Sequence, residues 1–232
     1  MIVTTGNISW VFYLFTLFVC FALPVVVTVY LYWKERPPQR AVLIGAAIFL
    51  LFQTFSRIPL VNYLQSTTWF FANIGPNTWA SALFMGFSAG LFEECGRFIA
   101  FQYLLNRKWT WASGVAYGIG HGGMEAMYIG IAFINFLSSS THILSPITYL
   151  LPGVERLLAM VIQIGLSLLV LYAVKNRKYI FLLYAILLHT LVDSPTQLTQ
   201  NALLIEFYVF IMAAISLTFI IKARKILDAS PD

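Results

Sequence analysis

Charged residues are scarce in this 232-residue chain, in which Asp, Glu, Lys and Arg together make up only 10%. Hydrophobic residues make up 60% and aromatic residues 16%, and the mean hydropathy is +0.82. This composition excludes an ordinary soluble globular domain and is typical of a polytopic membrane protein. The length accommodates about seven membrane spans of roughly 20 residues with short connections. We therefore predict an all-α bundle of transmembrane helices, with residues 1–232 forming a single integral membrane domain.

Several common signatures are also missing from the chain. Cysteine occurs only at Cys20 and Cys95, both within predicted spans, so it gives no indication of disulfides or of a redox compartment. No basic run is long enough to indicate nucleic-acid binding, and no Gly-x-Ser-x-Gly elbow indicates a serine hydrolase. The N-terminus lacks the basic region and the small-residue cleavage site of a signal peptide. The apolar run from Trp10 to Trp33 is therefore interpreted as a retained span.

Hydrophobic runs and their breaks predict the positions of seven spans. Basic residues cluster in the first, third and fifth connections and after the last span, whereas the other connections contain almost none. Because cytoplasmic loops are enriched in Lys and Arg, this alternation predicts an extracytoplasmic N-terminus, a cytoplasmic C-terminus and attraction to anionic lipid. The two longest connections, about 62–77 and 137–155, are then predicted to be extracytoplasmic loops. The predicted spans are residues 10–33, 40–61, 78–105, 110–136, 156–174, 179–197 and 203–222.

Three polar residues lie at similar depth in different predicted spans. Glu93 in the third span, His121 in the fourth and His189 in the sixth all lie about 15–18 Å from the predicted cytoplasmic edge. That distance is close to the middle of a hydrocarbon core about 30 Å thick. We therefore expect the three helices to converge on one polar site near the midplane of the membrane.

Each of these helices carries a further polar residue on the same face, one turn away. Four charged and unpaired carboxylates at mid-membrane would cost on the order of 10 kcal/mol, so they must be paired, protonated, hydrated or bound to a metal. Stripes of small residues at four-residue spacing on spans three and four are expected to let the helices approach closely. The pairs are Glu93 with Arg97, Glu94 with Arg97, His121 with Glu125, and His189 with Asp193.

Three short motifs in these spans resemble those of known membrane proteases. Glu-Glu-x-x-Arg at 93–97, an aromatic residue four positions before a histidine at Tyr117 and His121, and His-x-x-x-Asp at 189–193 are similar to motifs of two groups. These groups are the CAAX-protease and bacteriocin-processing (CPBP) proteases and the PrsW proteases. The CAAX pattern has one more residue before its arginine and usually ends in Asn, so this chain departs from it at both places. The Gly-His-Gly-Gly-Met-Glu run at 120–125 most resembles the YhfC family of intramembrane metalloproteases.

The resemblance implies an intramembrane endopeptidase of a bacterial plasma membrane, acting on a protein or peptide substrate. Such an enzyme needs a water molecule that is held, deprotonated and aimed at the scissile carbonyl. By resemblance, Glu93 is the base that activates the water. Glu94 then pairs with Arg97 and so holds the helix geometry. The positive charge of Arg97 keeps Glu94 ionised.

The two histidines have two possible roles in this scheme. His121 and His189 either donate hydrogen bonds to the oxyanion or bind one divalent metal such as zinc. Asp193 or Glu125 then orients the histidines or completes the coordination. The chain has no His-Glu-x-x-His helix that would make a zinc assignment secure. The predicted catalytic cavity lies between spans three, four and six, with access from the cytoplasm or the lipid.

A proton- or cation-coupled transporter could use the same acids and histidines, and a non-catalytic membrane scaffold could retain them for packing. The remaining mid-chain polar residues are interpreted as structural. Arg57 and Glu206 are expected to be structural or snorkelling residues of spans two and seven. We expect Glu155, Arg156 and His142 to be ordinary residues of the outer interface.

Overall fold

The computed structural model describes residues 2–105, 109–140 and 144–229, and within those ranges the regular secondary structure is entirely helical. This confirms the predicted all-α class. The described residues form eight helices, where a π-helical stretch that continues an α-helix is counted as part of it. The helices are α1 (residues 2–35), α2 (Arg40–Gln65), α3 (Thr68–Asn73), α4 (residues 78–104), α5 (Trp111–Ser139), α6 (Pro146–Lys175), α7 (Ile180–Asp193) and α8 (Ala202–Ala229). A 3-10 turn at Ser194–Gln197 follows α7.

Four helices of the described residues are long and apolar enough to cross a membrane: Ile8–Glu35 of α1, all of α2 and α6, and Ala202–Asp228 of α8. The chain is thus an integral membrane protein. α4, α5 and α7 fall outside this group. α4 and α5 carry polar side chains near their centres, and α7 has only 14 residues. These are the three helices on which the sequence places the polar site. The number of seven spans and their orientation stay predictions.

The long loop predicted at 137–155 is mostly helical in the structure, so that prediction is wrong. Residues 137–139 belong to α5 and residues 146–155 belong to α6. α6 begins at Pro146, where the missing N–H of proline costs nothing because the first turn of a helix has no intrahelical acceptor for it. His142 lies outside the described residues. The sixth predicted span ends earlier as an α-helix, at Asp193, because Pro195 follows and the backbone tightens into the 3-10 turn.

Two helices contain a π-helical stretch immediately before a proline. These stretches are Phe18–Ala22 before Pro24 in α1 and Phe49–Arg57 before Pro59 in α2. Proline lacks an N–H and its ring crowds the carbonyl four residues earlier, so the helix widens there. The stretch in α2 places the ring of Phe49 against His121, with ring centroids 5.4 Å apart.

Small residues set the closest helix approaches. A methyl group added at Gly118 of α5 would lie 2.7 Å from Cα of Ile164 on α6. One added at Gly90 of α4 would lie 2.6 Å from the carbonyl oxygen of Ile186 on α7. Both distances are too short for a real side chain. The structure therefore uses the predicted small-residue stripes as helix interfaces, with α5 packed against α1, α2 and α6, and α4 against α7.

One end of the bundle is rich in lysine and arginine. There Arg224 of α8 pairs with Glu35 of α1 at 3.0 Å, and Lys175 of α6 donates to the carbonyl of Leu227 at 2.8 Å. The backbone N–H of Trp111, at the start of α5, donates to Asp228 at 3.2 Å. The ends of α1, α6 and α8 and the start of α5 therefore lie together. We call this part the basic end; it contains Lys34, Lys175, Arg177, Lys178, Lys222, Arg224 and Lys225.

Candidate active site

Glu93, His121 and His189 meet in the interior, between α4, α5 and α7. His121 Nε2 lies 2.9 Å from Glu93 Oε2, and His189 Nε2 lies 3.9 Å from the same oxygen. All three side chains are at most 3% exposed. The close α4–α7 contact at Gly90 brings His189 to Glu93, since a methyl group at Gly90 would be 3.3 Å from His189 Cβ. The structure thus brings together the three residues that share a predicted depth.

Glu94 is held by Arg97 and His189, both of which also lie near Glu93. Arg97, one turn further along α4, donates to Glu94 Oε1, and His189 Nδ1 lies 2.6 Å from the same oxygen. Glu94 and Arg97 are completely buried. A carboxylate that accepts from His189 Nδ1 fixes the ring so that Nε2 points toward Glu93. The two adjacent glutamates therefore differ in position: Glu94 anchors a histidine, and Glu93 receives the contacts of both histidines.

Gln163 of α6 is a site residue that the sequence analysis missed. Its amide oxygen accepts from Arg97, and its amide nitrogen donates to Glu125 Oε2 at 2.6 Å and to Glu93 Oε2 at 3.4 Å. Because Arg97 can only donate and an ionised carboxylate can only accept, these neighbours fix the orientation of the amide. A buried glutamine near the middle of an apolar helix was the signal that could have identified it.

Arg156, also on α6, lies inside the protein and not at the outer interface, so its predicted assignment is wrong. It is 8% exposed and donates to Glu125 Oε1 and to Glu155 Oε1, each at 2.6 Å. Among the described contacts, Gln163 is the side chain that links Glu125 to Glu93. Glu155, with a 40% exposed side chain, keeps an interfacial position but is held by Arg156.

Arg57 ties α2 to α4, in agreement with its structural interpretation. Its guanidinium donates to Ser88 Oγ at 3.0 Å and to the carbonyl of Met85 at 2.7 Å. Glu206 of α8 has a buried carboxylate oxygen without a hydrogen-bond partner among the described residues. Neither residue has a hydrogen bond or ion pair with Glu93 among the described contacts.

His121 sits in an aromatic environment that restrains its ring. Tyr117 stacks on it at 6.0 Å with an interplanar angle of 28°, and Phe49 meets it edge-on. Its Nδ1 is buried and has no hydrogen-bond partner among the described residues. An unpartnered lone pair costs less than an unpartnered N–H, so the neutral ring is best satisfied with its proton on Nε2, donated to Glu93.

Asp193 extends the site toward solvent. Its Oδ2 lies 3.6 Å from His189 Nε2, and its side chain is 40% exposed. His189 thus stands between a fully buried carboxylate, Glu94, and a half-open one. The ring can exchange a proton or a ligand with the open side while Glu94 holds its other face.

A cavity of about 80 Å³ opens beside this site, large enough for a few water molecules. It lies between α5, α6, α7 and α8, whereas the sequence analysis expected a cavity between spans three, four and six. Glu93 does not line it, but His189 and Gln163 do, and both approach Glu93. The lining residues are Glu125, Glu155, Arg156, Ala159, Ile162, Gln163, His189, Val192, Asp193, Thr196 and Val209.

The donor types at the site fit a divalent metal, with the difference that His121 Nδ1 has no hydrogen-bond partner among the described residues. Two imidazole nitrogens, His121 Nε2 and His189 Nε2, face carboxylate oxygens, and Glu94 supplies the outer hydrogen bond to His189 that metal-binding histidines commonly have. Asp193 is the carboxylate on the open side of His189. Within the described ranges, no three His, Cys, Asp or Glu side chains have the spacing of an assembled metal centre.

Comparison with known proteins identifies the family. The model of the YhfC intramembrane metalloprotease family matches residues 19–143 and 131–215. The chain is 33% identical, over 241 aligned residues, to the "Uncharacterized membrane protein YhfC" of Bacillus subtilis (strain 168), covering 90% of this chain and 93% of that protein. No solved structure matches. The likeness to the CPBP and PrsW proteases stays a resemblance of motifs. The chain belongs to the YhfC intramembrane metalloprotease family.

Proposed function

We propose that this protein is an intramembrane endopeptidase in which Glu93 activates the attacking water. The observation that carries the proposal is the asymmetry of the Glu93 carboxylate. The polar contacts of Glu93 converge on Oε2, whereas Oε1 accepts no hydrogen bond from a described residue. The lone pairs of Oε1 are therefore not taken up by hydrogen bonds from described residues. A carboxylate held by one oxygen and open at the other is suited to take a proton from water.

The surrounding side chains have supporting roles in this proposal. Glu93 Oε1 removes the proton from the water as the water attacks the carbonyl carbon, and the same proton passes to the leaving amine. His121, through its Nε2–H, holds Glu93 Oε2 and so aims the free oxygen. His189 donates Nδ1–H to Glu94; in this scheme it is doubly protonated, and its Nε2–H donates to the negative charge that develops on the carbonyl oxygen.

The family description implies a metal, and His121, His189 and Asp193 are the residues that would hold it. When bound, a divalent metal makes its water more acidic and polarises the scissile carbonyl. With a metal bound, His121 Nε2 would no longer donate to Glu93, and His189 Nε2 would no longer be free to donate to the carbonyl oxygen. Arg97 and Gln163 act on Glu93 and Glu94 and not on the histidine Nε2 atoms.

The test compares protein N-termini in membranes of cells that carry the wild-type protein, Glu93→Gln or Glu35→Gln at matched abundance. Glu93→Gln is isosteric but removes the base, so termini that depend on the wild-type protein should disappear. Glu35→Gln is the matched control, since it makes the same chemical change at the basic end, where Glu35 pairs with Arg224. Termini that persist unchanged with Glu93→Gln would refute the proposed role. A loss of proton- or cation-coupled flux without any change in termini would favour a transporter.

A further inference from the structure

The exposure of the polar residues falls steadily from the cavity mouth to the central site. The side chains of Glu155 and Asp193 are each 40% exposed, and that of Glu125 is 19% exposed. Those of His189 and Glu93 are 3% exposed. The cavity therefore has a definite direction, with Glu155 and Asp193 at its mouth and His189 at its inner wall.

The mouth lies far from the basic end along the helices that form it. In α6, Glu155 lies nine residues after Pro146 and twenty before Lys175, which places it about 30 Å from the basic end. In α8, Val209 lies seven residues after Ala202 and also about 30 Å from the opposite terminus of that helix. The contact between Lys175 and Leu227 places the C-terminal ends of α6 and α8 side by side. Glu155 and Val209 therefore lie on the same side of the bundle, away from the basic end.

α7 runs the other way and gives the same result. Its first residue, Ile180, follows the basic connection that contains Arg177 and Lys178. The residues that line the cavity come from its last turn and the 3-10 turn beyond it, from His189 to Thr196. Three helices of alternating direction thus place the opening in the half of the bundle opposite the basic end.

Because the lysine- and arginine-rich side of a membrane protein faces the cytoplasm, we propose that the cavity opens toward the extracytoplasmic side. Water then reaches His189 between α6, α7 and α8 from that side, whereas the sequence analysis expected access from the cytoplasm or the lipid. This proposal rests on the proposed peptidase function. The direction of the opening then defines the substrate class as peptide segments at the extracytoplasmic surface or just within the extracytoplasmic leaflet. Cytoplasmic chain ends are excluded from this class.

The proposal can be tested by the reactivity of single added cysteines, without any substrate. Ala159→Cys places a small thiol on the cavity wall, and Lys178→Cys places one at the basic end. Leu157→Cys is the matched control on α6, since Leu157 is an exposed apolar residue of the same helix that does not line the cavity. The parent chain, with Cys20 and Cys95, gives the background labelling. The probe is a small, charged, membrane-impermeant methanethiosulfonate, applied to protoplasts and to inverted membrane vesicles.

In protoplasts the reagent should modify Ala159→Cys well above the parent background and leave Lys178→Cys unmodified. In inverted vesicles the pattern should reverse, and Leu157→Cys should react in neither preparation. Modification of Ala159→Cys only in inverted vesicles, its failure to react in both, or modification of Lys178→Cys in protoplasts would each overturn the proposal. Thr196→Cys, nearer the mouth, repeats the test if Ala159→Cys does not accumulate.

This experiment is independent of catalysis. If the added thiols react as expected but Glu93→Gln leaves all N-termini unchanged, the access route stands and the peptidase function fails. If N-termini depend on Glu93 but the Ala159→Cys thiol reacts from the cytoplasmic side, the peptidase function stands and the extracytoplasmic access route fails.

Discussion

Replacement of Gln163 by leucine is the most direct perturbation of the buried polar network. The substitution keeps the approximate side-chain volume but removes one acceptor and two donor contacts. Arg97 loses the acceptor for one guanidinium nitrogen, and Glu125 loses a donor at 2.6 Å. Glu93 loses the longer contact of 3.4 Å. Arg97 is completely buried and Glu93 nearly so, and neither can turn to water, whereas Glu125 lines the cavity and is 19% exposed.

The expected cost follows from the charges involved. A hydrogen bond to a charged group contributes about 1.5–3 kcal/mol, and removal of one partner leaves the other buried and unpaired. Two good contacts and one long one give a loss of about 3–5 kcal/mol in the free energy of unfolding. For a chain of this size that corresponds to a fall in Tm on the order of 10 °C. Ordinary neutral hydrogen bonds between membrane helices average only about 0.6 kcal/mol, so the effect is distinguishable.

The assay is thermal unfolding of the purified full-length protein in detergent, followed by tryptophan fluorescence and by the fraction that remains monodisperse. Ser167→Ala is the matched control, because Ser167 is buried on the same helix, one turn away, and donates only to the backbone carbonyl of Gln163. It should lower Tm by no more than a few degrees. Gln163→Glu should not restore stability, because it returns the acceptor for Arg97 but sets a third carboxylate against Glu93 and Glu125. If Gln163→Leu unfolds within a few degrees of Ser167→Ala, the network does not hold the site together.

Two further predictions concern helix approach and metal binding. Gly90→Ala should destabilise the protein by about 1–3 kcal/mol, because the new methyl group would lie 2.6 Å from the Ile186 carbonyl. Gly75→Ala, whose nearest neighbour would be 3.6 Å away, is the control in the same unfolding assay, and equal effects would contradict the packing argument. The purified wild-type protein should retain about one equivalent of zinc by elemental analysis, and His189→Ala should lose it, since an imidazole ligand is removed. Equal metal content in both proteins would rule out His189 as a ligand.

The central site was predictable because its residues are costly at the depth where they lie. Glu93, His121 and His189 each interrupt an apolar segment, and counting residues from the predicted ends gave them a common depth. Depth along a helix axis follows from the sequence, because each residue adds a fixed rise. The contacts of His121 and His189 with one oxygen of Glu93 agree with that reasoning.

The roles of Arg156 and Gln163 were not predictable in the same way. The sequence placed the start of span five at residue 156, which left Arg156 at the membrane edge. Because α6 actually begins at Pro146, Arg156 lies ten residues inside it and faces the interior. The sequence also did not show which helices are neighbours in the bundle. Hydropathy gives depth but not neighbours, so the cavity among α5 to α8 had no signature in the sequence.

The position of two side chains on α6 constrains how this helix can change. Arg156 and Gln163 are seven residues apart, two turns on one face, and each contacts a different oxygen of Glu125. A single inserted or deleted residue between them would rotate one relative to the other by about 100° and break one of the two contacts. The seven-residue spacing between Arg156 and Gln163 therefore cannot change without loss of a contact to Glu125. Length variation in α6 among related proteins should fall before Arg156 or after Gln163, and not between them.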